Sequence, residues 1–352
     1  LDLIFTHKNS PAHFYDSDCF FLAFMNIITQ EQTDLFKSFL DSHKNFIITG
    51  HKDPDGDCVS SSIGVSYILK YFQKPFLIVN SGPFKRVEIK EFESQFVSEI
   101  PFMSKTDRDE TGLIIVDCSE LSRLGEIGDA QGLDTFIIDH HKTSAAFENA
   151  VSIIDPSSPA TSCLIQMLYE NLVGSLSKQA ADILFFGLCT DTGFFRFLRE
   201  DSASVFELTA RLVKAGANPN KMYDKITGGK PYSTRKLLGT ALSHAERYCS
   251  GKLVIAYETM DETKKFGQEG RDSDMLYQAL LSCDGVEAAV FVRQETEHSC
   301  TAGFRSRDNI DVSVIASHFG GGGHKNASGM SCDGKLENLI PEIIKEFSKV
   351  LK

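Results

Sequence analysis

The sequence contains no tryptophan and no C-x-x-C pair among its nine cysteines. An odd, scattered set of cysteines in a chain of 352 residues is neither a disulfide framework nor a zinc knuckle, which indicates reduced thiols. Long apolar runs are also missing. The run at residues 19–28 is shorter than the roughly 20 residues that span a bilayer, and no basic leader precedes it. We therefore expect a cytoplasmic protein with no membrane span and no secretory signal.

Basic residues are too few to balance the acidic ones. Lys and Arg number 36 against 48 Asp and Glu, so the net charge is −12. Such a surface repels a polyanion, which excludes a protein that coats a long nucleic-acid duplex by charge. A small, local nucleotide site remains compatible with this balance. The apolar content of 42 % is ordinary for globular chains, and the length suits two domains.

Short apolar runs alternate with helical patterns from residue 45 onward. The runs typical of strands buried on both faces of a parallel sheet are 46–49, 76–79, 113–116 and 136–138. Apolar side chains at three- and four-residue spacing predict helices at 59–72, 161–172 and 178–188. The first half is therefore predicted to be a doubly wound α/β domain with a mostly parallel sheet. Such sheets bind ligands at the carboxyl ends of their strands.

Two glycine and proline breaks, at residues 216–219 and 228–231, separate this pattern from a second one. Further helices are predicted at 203–215, 233–247, 273–282, 312–318 and 337–351, and further strands at 253–257, 288–293 and 300–304. This rhythm predicts a smaller α/β domain with a mixed sheet. The expected divisions are an N-terminal extension of unknown role at 1–30, the first domain at 31–215, a helical linker at 216–250 and the second domain at 251–352.

Acidic and histidine residues follow three of the predicted strands and one helix. They are His51, Asp55, Asp57, Asp117, Asp139, His140, His141 and Asp191. Each segment alone is ordinary: the first reads as a turn before a helix N-cap at Asp57, and paired histidines are common on surfaces. Because a doubly wound sheet brings its strand ends to one crevice, we expect these side chains to converge.

Clustered carboxylates cannot all stay ionised unaided, since like charges about 4 Å apart repel by roughly 4 kcal/mol at an effective dielectric near 20. The cluster thus implies two divalent cations. The expected ligands are His51, Asp55, Asp57, Asp117, His140 and Asp191. Carboxylates with imidazoles suit Mn²⁺, with Mg²⁺ or Co²⁺ as substitutes. Two such ions, bridged by Asp117, form an arrangement suited to in-line displacement at phosphorus.

The cysteines next to these residues are Cys58, Cys118 and Cys189. We expect small buried fillers there, and a redox-sensitive site is the alternative. Taken alone, the glycines at 320–323 form a flexible turn, and Arg305 lies on a solvated strand edge. His324 and Lys325 beside the glycines favour anion binding instead.

Together the segments resemble the four motifs of the DHH phosphoesterase family, in order and spacing. The matching segments are His51-x-x-x-Asp55-x-Asp57, Asp117, Asp139-His140-His141 and Thr190-Asp191-Thr192-Gly193. The second half resembles the family's associated C-terminal domain through residues 303–307 and 320–329. The resemblance runs from about residue 45 to the C-terminus. By length and domain pair the chain looks like the bacterial oligoribonucleases that also remove the 3′-phosphate of 3′,5′-adenosine bisphosphate.

The resemblance implies specific roles for these residues. One metal is held by His51, Asp55 and Asp117, and a second by Asp57, Asp117, His140 and Asp191. Asp139 orients the neighbouring imidazole, and His141 touches the phosphate and donates a proton to the leaving oxygen. The implied substrate-binding residues are Arg305, Ser306, Gly322, Gly323 and His324.

The predicted activity is Mn²⁺-dependent hydrolysis of short single-stranded RNA to mononucleotides, with 3′,5′-adenosine bisphosphate as a further substrate. Neither a membrane nor a long duplex is an expected partner, and a homodimer is compatible with the sequence. Two other enzymes remain open: a hydrolase of linear or cyclic signalling dinucleotides, and a RecJ-like single-strand exonuclease. The alternative outside the enzymes is a catalytically silent nucleotide sensor.

Overall fold

The computed structural model describes residues 28–141, 150–198, 200, 202–267, 272–307 and 310–351. The chain divides into two units, Leu1–Gly228 and Gly229–Lys352. The predicted extension at 1–30 lies almost wholly outside the described residues. The predicted linker at 216–250 contributes one helix to unit 1 and one to unit 2, and its boundaries stay a prediction.

Unit 1 contains a parallel sheet. Its described strands are β1 Asn45–Thr49, β2 Phe76–Val79, β3 Thr111–Val116, β4 Asp134–Asp139 and β5 Val151–Ile154. They are paired in the order β2-β1-β3-β4-β5, and every pairing is parallel. All four predicted strands are confirmed. The edge strand β5 was missed because only Ile153 in it is buried, so it lacks a continuous apolar run.

Helices cover this sheet. In unit 1 they are α1 Gln30–Ser42, α2 Gly56–Tyr71, α3 Lys105–Asp109, α4 Thr161–Leu172, α5 Lys178–Asp191, α6 Ala203–Lys214 and α7 Pro219–Thr227, with a 3₁₀ helix at Val87–Gln95. The predicted start of α2 is wrong: the helix begins at Gly56, and Asp55 rather than Asp57 is its N-cap. Its first turns bury aspartate and serine, which hides them from an apolar pattern. Among the described helices, none has the length and apolar character needed to cross a membrane.

Unit 2 contains a mixed sheet. Its strands are β6 Glu246–Tyr248, β7 Leu253–Glu258, β8 Ala288–Thr296, β9 Ser299–Ser306, β10 Gly322–His324 and β11 Ala327–Asp333, in the order β10-β11-β9-β8-β7-β6. Its helices are α8 Tyr232–Ser243, α9 Met260–Phe266, α10 Ser273–Leu281, α11 Val312–His318 and α12 Leu336–Phe347. Of the described pairings, β7 with β8 is parallel and the others are antiparallel. The predicted fold class, a parallel-sheet domain followed by a mixed-sheet domain, is confirmed.

Two predicted helix ends in unit 2 are wrong. The helix predicted at 233–247 ends at Ser243, because residues 246–248 pair with β7 as an edge strand. The helix predicted at 337–351 ends at Phe347, although Leu351 is still buried in the same core. In both cases tertiary contacts rather than helical periodicity decide where the helix stops.

The contact between α2 and α5 requires a small residue. The Ser60 hydroxyl donates to the Ile183 carbonyl at 2.5 Å, and a Cβ on Gly187 would lie 2.5 Å from Ser60 Oγ.

Gly187→Ala should therefore reduce the free energy of unfolding by about 1–3 kcal/mol, measured by urea denaturation. The matched control is Gly239→Ala in α8, where a Cβ meets nothing within 4 Å. The control should be neutral or stabilising, by up to about 1 kcal/mol, and equal effects of the two changes would contradict the close contact.

Candidate metal centre

The predicted ligands lie where the strand order of unit 1 reverses. In the order β2-β1-β3-β4-β5, the connection after β1 runs to one side and the connection after β3 to the other, and ligands bind at such a switch point. The loop after β1 carries His51 and Asp55, and Asp117 directly follows β3. Asp117 has a φ of +55°, a left-handed conformation that aspartate tolerates better than most residues. The topology thus brings these segments to one crevice.

His51 faces two carboxylates through one ring nitrogen. Its Nε2 lies 3.4 Å from Asp117 Oδ2 and 3.8 Å from Asp55 Oδ1. Its Nδ1 donates to the Lys52 carbonyl oxygen at 2.8 Å. Because that bond keeps the proton of a neutral imidazole on Nδ1, the lone pair on Nε2 faces the carboxylates and can bind a cation.

His140 is held in the same way. Its Nδ1 donates to the Ser158 carbonyl oxygen at 3.2 Å. Its Nε2 lies 3.4 Å from Asp191 Oδ2 and 3.6 Å from Asp117 Oδ1. The two Asp117 oxygens therefore face different histidines, and this carboxylate belongs to both halves of the centre.

The N-terminus of α4 fixes two of the carboxylates. The backbone N–H groups of Thr161 and Ser162 donate to the two Asp57 oxygens at 2.6 and 2.9 Å. The Thr161 hydroxyl donates to Asp117 Oδ1 at 3.1 Å. The N-cap of α4, Ala160, has no capping side chain, so Asp57 supplies that acceptor from α2.

Asp139 is fully buried and organises the His140-His141 turn. One of its oxygens accepts hydrogen bonds from both histidine backbone N–H groups, at 2.8 and 3.1 Å. The same oxygen accepts from His141 Nδ1 at 2.8 Å, so the imidazole that Asp139 orients is that of His141. The His141 side chain is 36 % exposed, more than any other imidazole of the centre, and can meet a substrate.

Burial and mutual repulsion make the carboxylates retain protons when no cation is bound. Burial and the Asp57 carboxylate raise the pKa of Asp117 to about 7, and burial with Asp57 and Asp55 raises the pKa of Asp191 to about 8. Burial alone lowers the pKa of His51, but the Asp117 and Asp55 carboxylates outweigh it and raise the pKa to about 10. Bound protons thus supply positive charge that a metal ion would otherwise bring.

The donor set fits divalent cations. Two atoms bound to one ion at about 2.1 Å lie roughly 3.0–3.5 Å apart, close to the 3.4–3.8 Å between the histidine nitrogens and the carboxylates. The donor atoms form three groups, and within each group they lie within 4.8 Å of one another. The groups are His51 with Cys58 and Asp117, Asp117 with His140 and His141, and Asp57 with His140 and Asp191. The described residues can therefore hold divalent metal, and all six predicted ligands meet here.

Cys58 is an unsuitable ligand despite its place in one group. Burial and the nearby carboxylates raise the pKa of its thiol well above the usual range, whereas a metal ligand must be the thiolate. Cys118 and Cys189 are also buried, and burial raises the pKa of each thiol. These three positions match the expected buried fillers.

In unit 2, Arg305 lies near the end of β9 with its guanidinium over the Tyr277 ring, 4.7 Å from the centroid. Its nearest carboxylate oxygen, on exposed Asp274, is 3.8 Å away. A stacked guanidinium that is one-third exposed remains available to an anion. Ser306 is buried instead: its hydroxyl donates to the Ile310 carbonyl at 2.6 Å. That bond ties Ser306 to its own loop, and its substrate contact stays a prediction.

The glycine run at 320–323 contains two packing positions, Gly320 with its left-handed backbone at φ +77°, and one open position. A Cβ on Gly321 would lie 2.3 Å from the Gly329 carbonyl oxygen, and one on Gly323 would lie 2.7 Å from that of Ala327. A Cβ on Gly322 would meet nothing within 4 Å, so packing does not require glycine there. Gly322 and His324 are both exposed. Residues 322–324 of the run and its flank thus form strand β10, in which the exposed backbone of Gly322 lies near the exposed His324 side chain.

Sequence reasoning missed several residues that shape the centre. Thr161 and Ser162 resemble any helix start in the sequence, and only the fold directs their amides at Asp57. The charge of Arg86, in the segment after β2, also reaches Asp55 and Asp191 and opposes the effect of burial on both. A lone arginine in a loop carries no spacing signal that would reveal this.

Two family models match the chain. The N-terminal domain of the DHH family matches residues 45–188, and the DHHA1 domain matches residues 251–352. The bifunctional oligoribonuclease and PAP phosphatase NrnA of Thermus thermophilus is 31 % identical over 86 % of this chain and 90 % of its own length. The chain belongs to the DHH phosphoesterase family. It is accordingly a hydrolase that acts on phosphate esters, as the motifs predict.

Other relatives of this DHH protein have names that refer to other activities. The cyclic-di-AMP phosphodiesterase GdpP of Bacillus subtilis is 28 % identical over 88 % of this chain and 49 % of that protein. The crystal structure of an exopolyphosphatase-related protein from Bacteroides fragilis superposes with a TM-score of 0.77. It is 23 % identical and covers 93 % of this chain and 99 % of its own, a likeness that confirms the fold.

Binding of a divalent metal to the DHH centre should release protons at neutral pH, because Asp117 and Asp191 hold protons that the metal displaces. His51 must also lose the proton that its pKa of about 10 retains, so the affinity for Mn²⁺ should rise from about pH 6 to about pH 10. Calorimetry on the chelator-stripped protein in two buffers of different ionisation enthalpy counts the protons. Asp117→Asn should release fewer, whereas Asp134→Asn at the exposed amino end of β4 should behave like the wild type. A pH-independent affinity would contradict the raised pKa values.

Proposed function

We propose that this DHH protein hydrolyses short RNA oligonucleotides to mononucleotides and also removes the 3′-phosphate of 3′,5′-adenosine bisphosphate, with two Mn²⁺ ions. The observation that carries the proposal is Asp117, whose two oxygens face His51 on one side and His140 on the other. The NrnA relative, which combines an oligoribonuclease and a PAP phosphatase in its name, supports this substrate class.

In the proposal, six side chains hold the two metals: His51, Asp55, Asp57, Asp117, His140 and Asp191. When bound, a metal pair supplies a hydroxide at neutral pH and neutralises charge on the phosphoryl oxygens. The carbonyl oxygens of Lys52 and Ser158 keep His51 and His140 in the tautomer that presents Nε2. Backbone amides of α4 fix Asp57, so its carboxylate is oriented before any substrate arrives.

His141 is the proposed proton donor to the leaving oxygen. Its Nδ1 is anchored on Asp139, which leaves Nε2 as the nitrogen that can face a substrate. The hydrogen bond to Asp139 raises the pKa of His141, although burial opposes it, so the imidazole tends to hold the proton that it must give. A buried carboxylate behind the ring also stabilises the protonated form during the reaction.

The DHHA1 domain is the proposed binding site for the nucleotide end of the substrate. Arg305 offers a guanidinium that can form two hydrogen bonds to one phosphate. Exposed backbone at Gly322 can approach an anion closely, and His324 lies beside it. Recognition of one end by fixed groups favours short substrates over long ones.

A substrate panel tests the proposed function. The Mn²⁺-loaded enzyme should cleave a diribonucleotide and adenosine bisphosphate at least about tenfold faster than a long RNA or a cyclic dinucleotide. Asp117→Ala should lower kcat below about 1 % of wild type on every substrate, because it removes a side chain shared by both metals. Asp134→Ala is the matched control and should keep full activity.

Each other result of the panel identifies a rival. A preference for the cyclic dinucleotide would make the protein a signalling-dinucleotide hydrolase, the activity in the name of the GdpP relative. A preference for long RNA would make it a RecJ-like exonuclease. Metal binding without turnover of any substrate would make it a nucleotide sensor.

Gly322→Ala tests the DHHA1 assignment. The added Cβ meets no protein atom, so the free energy of unfolding should not change. It does occupy the space above the exposed backbone, so KM for a diribonucleotide should rise about tenfold with a smaller change in kcat. Gly239→Ala is the control and should leave KM unchanged. An unaltered KM in Gly322→Ala would remove the glycine strand from the substrate site.

A further inference from the structure

A second cavity, of about 410 Å³, lies in unit 1 and is separate from the metal centre. Residues of α2, α5, α7 and the 3₁₀ helix at Val87–Gln95 form its walls. Small-molecule sites have volumes upward of about 300 Å³, so the cavity can enclose a ligand. None of the residues assigned to catalysis or metal binding lines it.

Helix α5 separates the two sites along its length. Residues among its first nine positions, from Lys178 to Phe186, line the cavity, whereas Asp191 at its last position belongs to the metal centre. Asp182 lies nine residues before Asp191, about 13.5 Å along the helix at 1.5 Å per residue, and Phe186 lies five residues before it, about 7.5 Å. Helix α2 has the opposite arrangement, with Asp57 in its first turn and Tyr67 on the cavity wall.

The floor of the cavity is apolar and aromatic. Ile63, Ile183 and Met222 are buried beneath it. The half-buried Phe92 ring forms one wall, and the Phe186 ring, only 1 % exposed, lies 5.5 Å from it between centroids. With the Tyr67 ring on another wall, Phe92 gives an apolar and aromatic lining suited to a ligand with a flat ring.

The charged lining of the cavity is cationic in a chain whose overall charge is −12. Three lysines, Lys178, Lys221 and Lys225, stand against the single carboxylate of Asp182. Lys178 pairs with Asp182. Lys221 forms no ion pair with any residue that the structure describes. An anion entering the cavity therefore meets one lysine, Lys221, whose charge no described carboxylate pairs.

Lys225 is held in a fixed position on the aromatic wall. Its ammonium lies 4.1 Å from the centroid of Phe92 and 4.9 Å from that of Phe186, and it also pairs with Glu91 on the outer side. A cation fixed by two rings loses little side-chain entropy when it binds a further anion. The exposed side-chain amides of Gln95 and Gln179 add donors and acceptors to the lining.

We propose that this cavity is a second, non-catalytic binding site for a nucleoside monophosphate. The base lies on the apolar floor beside Tyr67 and Phe92, the phosphate is bound by Lys221 and Lys225, and the glutamine amides meet the polar edge of the base. The assignment rests on the cavity alone and does not depend on the proposed catalytic activity.

The absence of tryptophan from the chain provides a direct test. In Phe92→Trp the cavity wall becomes the only source of tryptophan fluorescence, and Tyr67→Trp is a second reporter on another wall. Titration of the Mn²⁺-loaded protein with AMP and UMP should change this fluorescence with half-saturation below about 1 mM. Adenosine lacks the phosphate and inorganic phosphate lacks the base, so each should bind at least about tenfold more weakly than AMP.

Three variants in the reporter background show where the signal comes from. Lys221→Glu should weaken AMP binding at least about tenfold, and Lys214→Glu on α6 is the matched control without effect. Asp117→Asn should leave the titration unchanged, because the metal centre is a separate site. The proposal is wrong if neither folded reporter responds saturably, if adenosine binds as tightly as AMP, or if the response survives Lys221→Glu or disappears with Asp117→Asn.

Discussion

The burial of the Asp117 carboxylate among other carboxylates is the constraint on which the centre depends. Its side chain is 3 % exposed, and the neighbouring Asp57 disfavours its charged form further. A buried, unbalanced charge is costly, so the site needs protons or cations to be stable. The switch point of the sheet makes this burial unavoidable, because it delivers the loops after β1 and β3 to one crevice. Affinity for divalent metal follows from the fold itself.

The backbone around the crevice maintains this arrangement. Amides of α4 bind both oxygens of Asp57, and carbonyl groups hold Nδ1 of His51 and His140. These contacts orient the donor atoms without adding ionisable groups, so the charge of the centre is set by the aspartates and by whatever cation they bind. The close packing of α2 on α5 at Gly187 keeps Asp57 and Asp191, which lie at opposite ends of the two helices, in one place. The rigidity of the helix pair thus contributes to the precision of the site.

Much of the fold was predictable because buried parallel strands are continuous apolar runs. The four predicted strands of unit 1 and the mixed sheet of unit 2 are confirmed on that basis. Elements without that signal were missed. The edge strand β5 buries one residue, and the strand β10 consists of Gly-Gly-His, whose place beside β11 depends on the close approach that glycine allows. The start of α2 was missed because its first turn is buried through polar groups that bind inside the protein.

The sequence by itself determined which chemistry is available. The order and spacing of His51, the aspartates and the histidine pair predicted a metal-dependent phosphoesterase. Membership of the DHH family confirms that class. Parallel strand ends must meet, so convergence of these side chains also followed from the pattern. Only the tertiary structure decided how the donors are presented. The partners of Asp57 lie more than a hundred positions further along the chain. The hydrogen bonds to carbonyl oxygens that set the histidine tautomers have no sequence signature. The cavity with its three lysines is formed by four separate elements. The contacts of Asp57 and of the cavity join residues distant in the chain, and local periodicity carries no information about them.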